Sequence, residues 1–205
     1  MSDVVSLKVE TESVELRLLN AAEAILESEG PDSLSVRRIA KAAGVAPMGV
    51  YNHFEGKMGI IDALFRRGFA RLGAAMSSLV EIENPLEALA EGGRRYRSLG
   101  LAHPMAYQLM FLRPVPGFNP SIESAKVATA AFEGLINAVR RAAALDLLRD
   151  LDAVVTAQIL WASYHGWVAL EICGLGFVSD VDAGAEALGA AIWMGIANPN
   201  LVINE

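Results

Sequence analysis

Side chains suited to contacting nucleic acid are concentrated in the short segment from Pro47 to Lys57. An asparagine amide can pair with the edge of adenine through two hydrogen bonds, and a methionine side chain can pack against the methyl group of thymine. Asn52 and Met48 supply these groups, and Tyr51 lies beside them. Met, Tyr and Asn on the outward side of one short helix, next to basic residues, suit the major groove of DNA.

Two short helices joined by a glycine turn would position these side chains. The first has an apolar face at the i, i+3, i+4, i+7 spacing, formed by Val36, Ile39, Ala40 and Ala43. Ser35 stands at its N-cap, Gly44 supplies the left-handed residue that ends a helix, and Pro47 suits the first turn of the next. In the second helix Val50 and Phe54 point inward. Residues 33–57 are therefore predicted to form a helix-turn-helix and the start of a further helix.

This segment resembles the DNA-binding domain of the tetracycline-repressor (TetR) family of bacterial transcriptional regulators. The resemblance covers residues 12–75 closely and rests on Ile39, Ala40, Ala43, Gly44, Val45, Tyr51, His53, Phe54, Lys57, Ile60, Ile61, Leu64 and Phe65. Two positions depart from the family's pattern. Ala46 stands where the family usually has Thr or Ser, so the following helix loses a capping hydroxyl. Met58 stands where the family usually has an acidic residue.

The resemblance implies DNA contacts for the residues around this motif. Tyr51 and His53 would contact phosphates, and Lys57 would pair with another phosphate. Four residues would approach the base edges: Pro47, Met48, Gly49 and Asn52. The glycine among them would let the helix lie close to the DNA. Ser35 and Arg37 complete the candidate set at the start of the preceding helix, where backbone N–H groups attract anions.

The charge distribution favours a nucleic-acid partner although the whole chain is acidic, with a formal net charge of -7. Residues 31–75 carry seven basic side chains against three acidic ones, a net charge of +4, so the remainder carries -11. The Debye length of about 8 Å at physiological salt screens this region from the distant acids. A locally basic head can therefore collect DNA phosphates.

The composition indicates a globular protein, which we expect in the cytoplasm. The 205 residues allow a sizeable core, and 53% hydrophobic residues with a mean hydropathy of +0.35 require burial inside or between subunits. No window approaches the roughly 18 apolar residues of a membrane span, and the acidic N-terminus does not resemble a signal peptide. The single cysteine, Cys173, excludes an internal disulfide and is expected in the core.

Helical periodicity and helix-stop residues predict an all-α fold of about nine helices. We expect a flexible arm at 1–12, a helix-turn-helix DNA-binding head at 13–57, and a ligand-binding and dimerisation body at 58–205. Helix 1 is predicted at 12–29, and helix 4, from about 56 to 80, joins head and body. Helices 5 to 9 are predicted at 85–101, 103–112, 121–145, 151–173 and 180–198. The proline-rich segment 113–120 is predicted to be a loop and is a candidate lid.

Helices 8 and 9 are apolar on more than one face, so each needs a cover on two sides. One side would pack in the subunit core and the other against a second subunit, which predicts a homodimer with two-fold symmetry. Small residues along helix 9 would permit close approach: Ala183, Gly184, Ala187, Gly189, Ala190, Ala191 and Gly195. In helix 8, Trp161, His165 and Gly166 also resemble the W-x-x-x-H-G pattern of one TetR C-terminal subfamily.

The resemblance implies an effector pocket among helices 5 to 8, mostly apolar with a few polar anchors. The candidate lining residues are Tyr96, Met105, Met110, Phe111, Phe132, Trp161, Tyr164 and His165. Tyr164 and His165 are the leading anchors. The alternative for each residue is an ordinary core position, because aromatic side chains and methionines at helical spacing commonly form core. Arg94, Arg95 and Arg97 would suit an acidic ligand, although a solvated surface is the simpler interpretation.

Three functional hypotheses remain. The first is a homodimeric repressor that binds a palindromic operator in double-stranded DNA and is released by a largely apolar small molecule. The second is an enzyme in the helical body with His103 or His165 as base, although the histidines lack metal-ligand spacing and no glycine-rich phosphate loop or nucleophile elbow is present. The third is a ligand carrier that no longer binds DNA. We favour the first, and expect no enzymatic activity, cofactor, metal or membrane partner.

Overall fold

The computed structural model describes residues 12–112 and 115–201. Within these residues the fold is all-helical with nine α-helices, which confirms the predicted fold class. Extended backbone in this part of the chain pairs only at an isolated bridge between Leu148 and Ala197. Contacts divide the chain into two compact units, unit 1 ending at Leu64 and unit 2 beginning at Phe65. None of the described helices has the length and apolarity needed to cross a membrane.

Unit 1 contains three helices and the first part of a fourth. These are α1 (Val14–Glu29), α2 (Val36–Ala42), α3 (Pro47–Phe54) and α4 (Lys57–Ser77), the last of which continues into unit 2. All four helices contribute to the core of the unit, which contains Leu18, Ala22, Ile25, Leu26, Leu34, Ile39, Ala40, Val50, Phe54, Ile60, Ile61 and Leu64. The helical apolar stripes of the sequence thus meet in one core.

Local signals in the sequence set the ends of α2 and α3. The Ser35 hydroxyl accepts a hydrogen bond from the Arg38 N–H at 3.4 Å, which confirms the predicted N-cap. Gly44 has a φ of +66°, the left-handed conformation expected after α2. Pro47 is the first residue of α3. Ala46 before it makes no side-chain cap, as its missing hydroxyl predicts.

Five further helices complete unit 2: α5 (Pro85–Ala102), α6 (Pro104–Phe111), α7 (Ile122–Ala143), α8 (Ala153–Ile172) and α9 (Val181–Ile196). The central helices α5, α7 and α8 pack against one another. One buried cluster is rich in aromatic residues and contains Phe65, Phe69, Leu72, Met76, Leu79, Ala88, Tyr96, Tyr107, Met110, Ala131 and Val168. A second contains Leu89, Ile136, Val139, Ala142, Leu148, Ala157, Leu160, Ile192 and Ile196.

The observed elements depart from the predicted ranges in the connections. The α-helical part of α4 ends at Ser77, and a 3-10 helix from Ser78 to Glu81 replaces its predicted last turn. The segment after α6 is non-helical from Val115, as its prolines predict, while Arg113 and Pro114 lie outside the described residues. The predicted arm also lies outside them, apart from Glu12.

The predicted core position of Cys173 is wrong. The residue directly follows α8 and is exposed. Leu175 and Phe177, in the connection to α9, are 61% and 105% exposed. Residue type indicates only an average tendency to burial. The place of this cysteine at the end of a helix decides its exposure.

Two arginines cap the carboxyl end of α4 and the 3-10 helix after it. Arg95 of α5 donates a hydrogen bond from Nη1 to the Ala75 carbonyl at 3.0 Å. Arg141 of α7 donates to the carbonyls of Val80 and Ile82 at 2.9 and 2.6 Å. The last carbonyl groups of a helix have no partner within the helix, and a cation satisfies them while complementing the negative end of the helix dipole.

Replacing Arg141 with alanine is expected to lower the free energy of unfolding by about 1–2 kcal/mol, because two charge-assisted hydrogen bonds to backbone carbonyls are lost. Urea unfolding followed by circular dichroism measures this loss. Arg140→Ala is the matched control, because this neighbouring side chain is exposed and its hydrogen bond goes to Asn137 on the same helix. Equal losses in the two variants would contradict the capping role.

Candidate DNA-binding surface and ligand cavity

One face of α3 is anchored in the core of unit 1 and the other faces solvent. Val50 and Phe54 are 0% and 7% exposed, as predicted for the inward face. Met48 and Tyr51 are 64% and 54% exposed. The exposed candidates on this helix are Pro47, Met48, Tyr51, Asn52 and His53. The buried pair therefore fixes the orientation in which the others are presented.

Gly49 is not required by the packing of its own unit. A Cβ atom at this position would lie 3.5 Å from Val45 Cγ2, an ordinary van der Waals contact. Gly59 is the contrast, since a Cβ atom there would lie 1.6 Å from the Phe54 carbonyl oxygen. The close approach of α4 to the end of α3 therefore requires glycine at position 59. At position 49, by contrast, the half-exposed surface of α3 has space for a larger side chain.

The remaining DNA candidates lie at the amino ends of α2 and α4. Ser35 is the N-cap of α2, and Arg37 in its first turn is exposed. Lys57 is the first residue of α4 and is partly exposed. Arg38 differs from them because it forms a salt bridge with Glu29 of α1. Since α2 packs against α1 and α3, the candidates of α2 and α3 belong to one helical motif.

Unit 2 contains a small apolar cavity of about 40 Å³ between α4, α5, α7 and α8. Its lining residues are Met76, Leu89, Gly92, Gly93, Tyr96, Leu135, Leu160, Trp161 and Tyr164. Three of them, Tyr96, Trp161 and Tyr164, are among the predicted ligand residues. The volume is well below the roughly 150 Å³ of a cavity that binds benzene. A ligand would therefore have to displace side chains of the lining.

The other predicted ligand residues surround this lining or lie in the core. Phe111 and Phe132 pack against the Trp161 ring, with centroid distances of 6.0 and 5.4 Å. Met110 is 6% exposed and belongs to the aromatic-rich core cluster. Met105 is half-buried in α6. Phe111 and Phe132 thus support the cavity wall from behind.

His165 belongs to a hydrogen-bonded cluster with residues of α5, α6 and α8. Its Nδ1 lies 2.6 Å from Tyr107 Oη and 3.0 Å from Tyr96 Oη, and the two hydroxyl oxygens are 3.2 Å apart. Trp161 donates from Nε1 to Tyr96 Oη at 3.2 Å. Tyr107 was not among the predicted ligand residues, and its pairing with His165 joins α6 to α8, which no local spacing rule connects.

Burial keeps the titratable groups of this cluster uncharged near neutral pH. It raises the pKa of Tyr96 to about 12 and also raises the pKa of Tyr107. It lowers the pKa of His165, since the protonated imidazole would lose hydration. The cluster therefore presents neutral hydroxyl, indole and imidazole groups that already satisfy one another.

The prediction of a solvated arginine surface is wrong for Arg97. This side chain is 19% exposed and forms two hydrogen bonds of 2.8 and 2.6 Å with Glu171 of α8. It also pairs with Asp182 of α9 at 2.8 Å. The other two arginines of α5 pair with Glu91 on the same helix: Arg94 and Arg95. The partners of Arg97 are distant in sequence, so only the packing of the helices reveals them.

Gly93 was also missed as a contributor to the cavity. A Cβ atom at this position would lie 2.2 Å from Tyr164 Cζ, so the tyrosine ring fills the space that a side chain would need. On α9, a Cβ atom at Gly189 would lie 3.1 Å from Tyr164 Oη. The adjacent glycines 92 and 93 were the available signal, because glycine inside a helix costs about 1 kcal/mol and commonly has a packing reason.

Two protein families match most of the chain. Residues 18–64 match the family described as bacterial regulatory proteins, tetR family. Residues 89–192, about half of the chain, match the family described as tetracyclin repressor-like, C-terminal domain. The first match contains the helix-turn-helix and the second contains most of the cavity lining.

Three individual proteins are also similar to this chain. An uncharacterized HTH-type transcriptional regulator of Mycobacterium tuberculosis is 26% identical over 168 residues, which cover 82% of this chain and 73% of that protein. The structure of a protein with unknown function from Rhodococcus sp. RHA1 has a TM-score of 0.82 at 29% identity, covering 94% of this chain and all of the other. A TetR family transcription regulator from Marinobacter aquaeolei VT8 has a TM-score of 0.68 at 20% identity, over 90% and 96% of the two chains, which supports the fold.

The lowered pKa of His165 predicts a pH-dependent contribution to stability. The unfolded chain would take up a proton at His165 near pH 6.5, whereas the folded protein resists it. The free energy of unfolding should therefore fall as the pH drops below about 6.5, until the pH passes the folded-state pKa. Urea unfolding at pH 7.5, 6.5 and 5.5 measures this slope, which should be shallower in His165→Gln.

His53→Gln is the control, because the His53 side chain is exposed on α3. This variant should retain the pH slope of the parent protein. Parallel slopes for the parent and His165→Gln would show that His165 does not carry the effect.

Proposed function

Because the chain belongs to the TetR family of bacterial transcriptional regulators, we propose that it is a homodimeric repressor released from a palindromic operator by a small molecule. The observation that carries the DNA-binding part is the exposed side of α3, held in place by buried Val50 and Phe54. We place the DNA-binding domain at residues 13–57 and the ligand-binding and dimerisation domain at 58–205. The regulator would act in the cytoplasm and have no enzymatic activity.

The surface of α3 supports insertion into the major groove. Asn52 offers an amide suited to adenine, and Met48 offers an exposed apolar group suited to a thymine methyl. Few groups of this kind are present in each subunit. Operator specificity would therefore also depend on the spacing of two half-sites, one helical turn or a multiple apart, and on DNA shape.

Phosphate contacts would fix the position of α3 on the duplex. Tyr51 and His53 are exposed on this helix, and Lys57 lies at the amino end of α4, where backbone N–H groups also attract an anion. Ser35 and Arg37 would act in the same way at the start of α2. These contacts predict a steep decrease of affinity with rising salt concentration.

Exposed apolar side chains on α8 and α9 support the proposed dimer. Val155, Ile159 and Leu170 of α8 are 52%, 40% and 50% exposed, and Met194 of α9 is 75% exposed. The same two helices also carry exposed small residues: Ala162, Ala187, Ala190, Ala191 and Gly195. Exposed apolar surface of this kind is a common site of protein association. A second copy of α8 and α9 would cover it.

The cavity supports a response to a small molecule. Its lining includes Met76, which lies on α4, and α4 carries residues of both units. A ligand that displaces lining side chains would therefore act directly on the helix that continues into unit 1. Changing the protein from mostly DNA-bound to mostly free requires roughly 5 kcal/mol of difference in ligand affinity between the two states.

The Trp161, His165 and Gly166 pattern has a physical basis in this chain, and we propose that it marks a C-terminal subfamily. Trp161 lines the cavity, and His165 binds the tyrosine hydroxyls behind it. The same hydrogen bonds occupy His165 Nδ1, which disfavours the alternative in which His165 acts as a catalytic base through this atom. His103, the other candidate catalytic base, connects α5 and α6 and makes no side-chain cap there.

Tyr51→Ala and Lys57→Ala are expected to weaken binding to the DNA upstream of the protein's own gene by about tenfold or more, since each removes a phosphate contact. Lys57→Ala should also reduce the slope of log affinity against log salt by about one. Fluorescence anisotropy at several salt concentrations measures both quantities. Circular dichroism should show an unchanged helical fold.

Gly49→Ala tests the close approach of α3 in the same series. The methyl group fits within unit 1 and should stabilise α3 by up to about 1 kcal/mol, yet it should weaken DNA binding by occupying space at the groove. Lys126→Ala, on the exposed surface of α7, is the control for loss of a positive charge. If the α3 and Lys57 variants bound DNA like the parent, this surface would not be the DNA contact.

Ile159→Asp and Leu170→Asp are expected to convert the dimer to a monomer, because each would bury an unpaired carboxylate between two apolar helices. Light scattering coupled to size-exclusion chromatography measures the mass in solution. Ile122→Asp is the matched control, since Ile122 is 76% exposed on α7. A dimer that persists in both α8 variants would place the interface elsewhere.

A further inference from the structure

We infer that the cavity of unit 2 selects an uncharged, largely apolar molecule with one hydrogen-bonding group, which pairs with the hydroxyl of Tyr164. This inference rests on the effector role proposed above and specifies the chemistry of its ligand. It depends on three features: the absence of charge in the lining, the pairing of the nearby charged side chains, and the free hydroxyl of one lining residue.

The lining carries no ionisable acid or base apart from two tyrosines. The polar side-chain atoms of its lining residues are Tyr96 Oη, Trp161 Nε1 and Tyr164 Oη. A carboxylate or ammonium group placed in such a cavity would lose its hydration without gaining a counter-ion, at a cost of several kcal/mol. An uncharged polar group costs much less when it finds one hydrogen-bond partner.

The first two polar groups of the lining are already occupied. Trp161 Nε1 donates to Tyr96 Oη, which also pairs with Tyr107 Oη and His165 Nδ1. A ligand would have to break this buried cluster to bind there. His165, a predicted anchor, is therefore a supporting residue, and its Nδ1 is not available to a ligand.

The hydroxyl of Tyr164 is different, since it makes no hydrogen bond within the described part of the chain. Burial raises the pKa of Tyr164, so the group is a neutral hydroxyl that can donate or accept. Its ring is fitted against Gly93 of α5, and its oxygen lies close to Gly189 of α9. Tyr164 is therefore the lining residue whose polar group is available to a ligand.

The positive charges near the cavity are already paired. Arg94 is close enough to oppose the effect of burial on the pKa of Tyr164, but its guanidinium binds Glu91 and is 64% exposed to solvent. Arg95 also binds Glu91, and Arg97 binds Glu171 and Asp182. These arginines therefore attract an acidic ligand only weakly, although the sequence alone left open that they bind one.

Long flexible side chains give the cavity a way to expand. Met76, Leu89, Leu135 and Leu160 form most of its apolar wall. Rotamer changes of such residues are less costly than movement of the rigid aromatic rings behind them. An elongated aliphatic molecule with a terminal hydroxyl fits this wall better than a rigid polar one.

The test compares 1-octanol with octanoate, which have the same carbon number, by isothermal titration calorimetry with the full-length protein at pH 8. Octanol should bind at least about tenfold more tightly, because octanoate is fully ionised at this pH. Tyr164→Phe should weaken octanol binding about fivefold to tenfold, the effect of one lost hydrogen bond. Thr129→Val removes a hydroxyl group from the exposed side of α7, at a residue that does not line this cavity, and should leave octanol binding unchanged.

Equal or tighter binding of octanoate, or no binding of octanol, would overturn the inference about ligand charge. Unchanged octanol affinity in Tyr164→Phe, with an unchanged melting temperature, would overturn the role of the hydroxyl. Release of upstream DNA is followed separately by fluorescence anisotropy. Octanol binding that depends on Tyr164 without releasing DNA would support the ligand class while contradicting the effector role.

Discussion

The arginine caps at the carboxyl end of α4 tie α5 and α7 of unit 2 to the backbone of that helix end. Arg95 from α5 and Arg141 from α7 bind carbonyl oxygens that a helix end would otherwise leave unpaired. All three bonds are to backbone atoms, so they fix the helix itself and not only a side chain. Because Met76 lies within this capped end of α4, the same interactions hold one wall of the cavity in place.

Unit 1 illustrates how a small core can hold one side of a short helix while leaving the other side exposed. Every apolar stripe of its helices is used in packing, and α3 retains only Val50 and Phe54 for that purpose. The other side chains of α3 are not needed for this packing and can contact another molecule. Gly49 is consistent with this division, because its packing neighbours leave room for a larger residue.

The interior of unit 2 separates polar groups from charged ones. Tyrosine, tryptophan and histidine side chains satisfy one another beside the cavity, while the arginines of α5 are held by carboxylates at its outer side. Burial strengthens this separation because it disfavours the ionised form of each group in the cluster. The consequence is a cavity whose remaining polarity is concentrated at one hydroxyl.

The sequence alone determined the number and approximate limits of the helices, the turn at Gly44, the missing cap at Ala46 and the buried face of α3. These features depend on residues within one or two helical turns, where periodicity and capping rules apply. Tertiary structure decided the partners of Arg97 and Arg141, the exposure of Cys173, the link between Tyr107 and His165, and the space that Gly93 leaves for Tyr164. Those contacts join residues far apart in the chain, and their geometry follows from how whole helices pack, which no local pattern records.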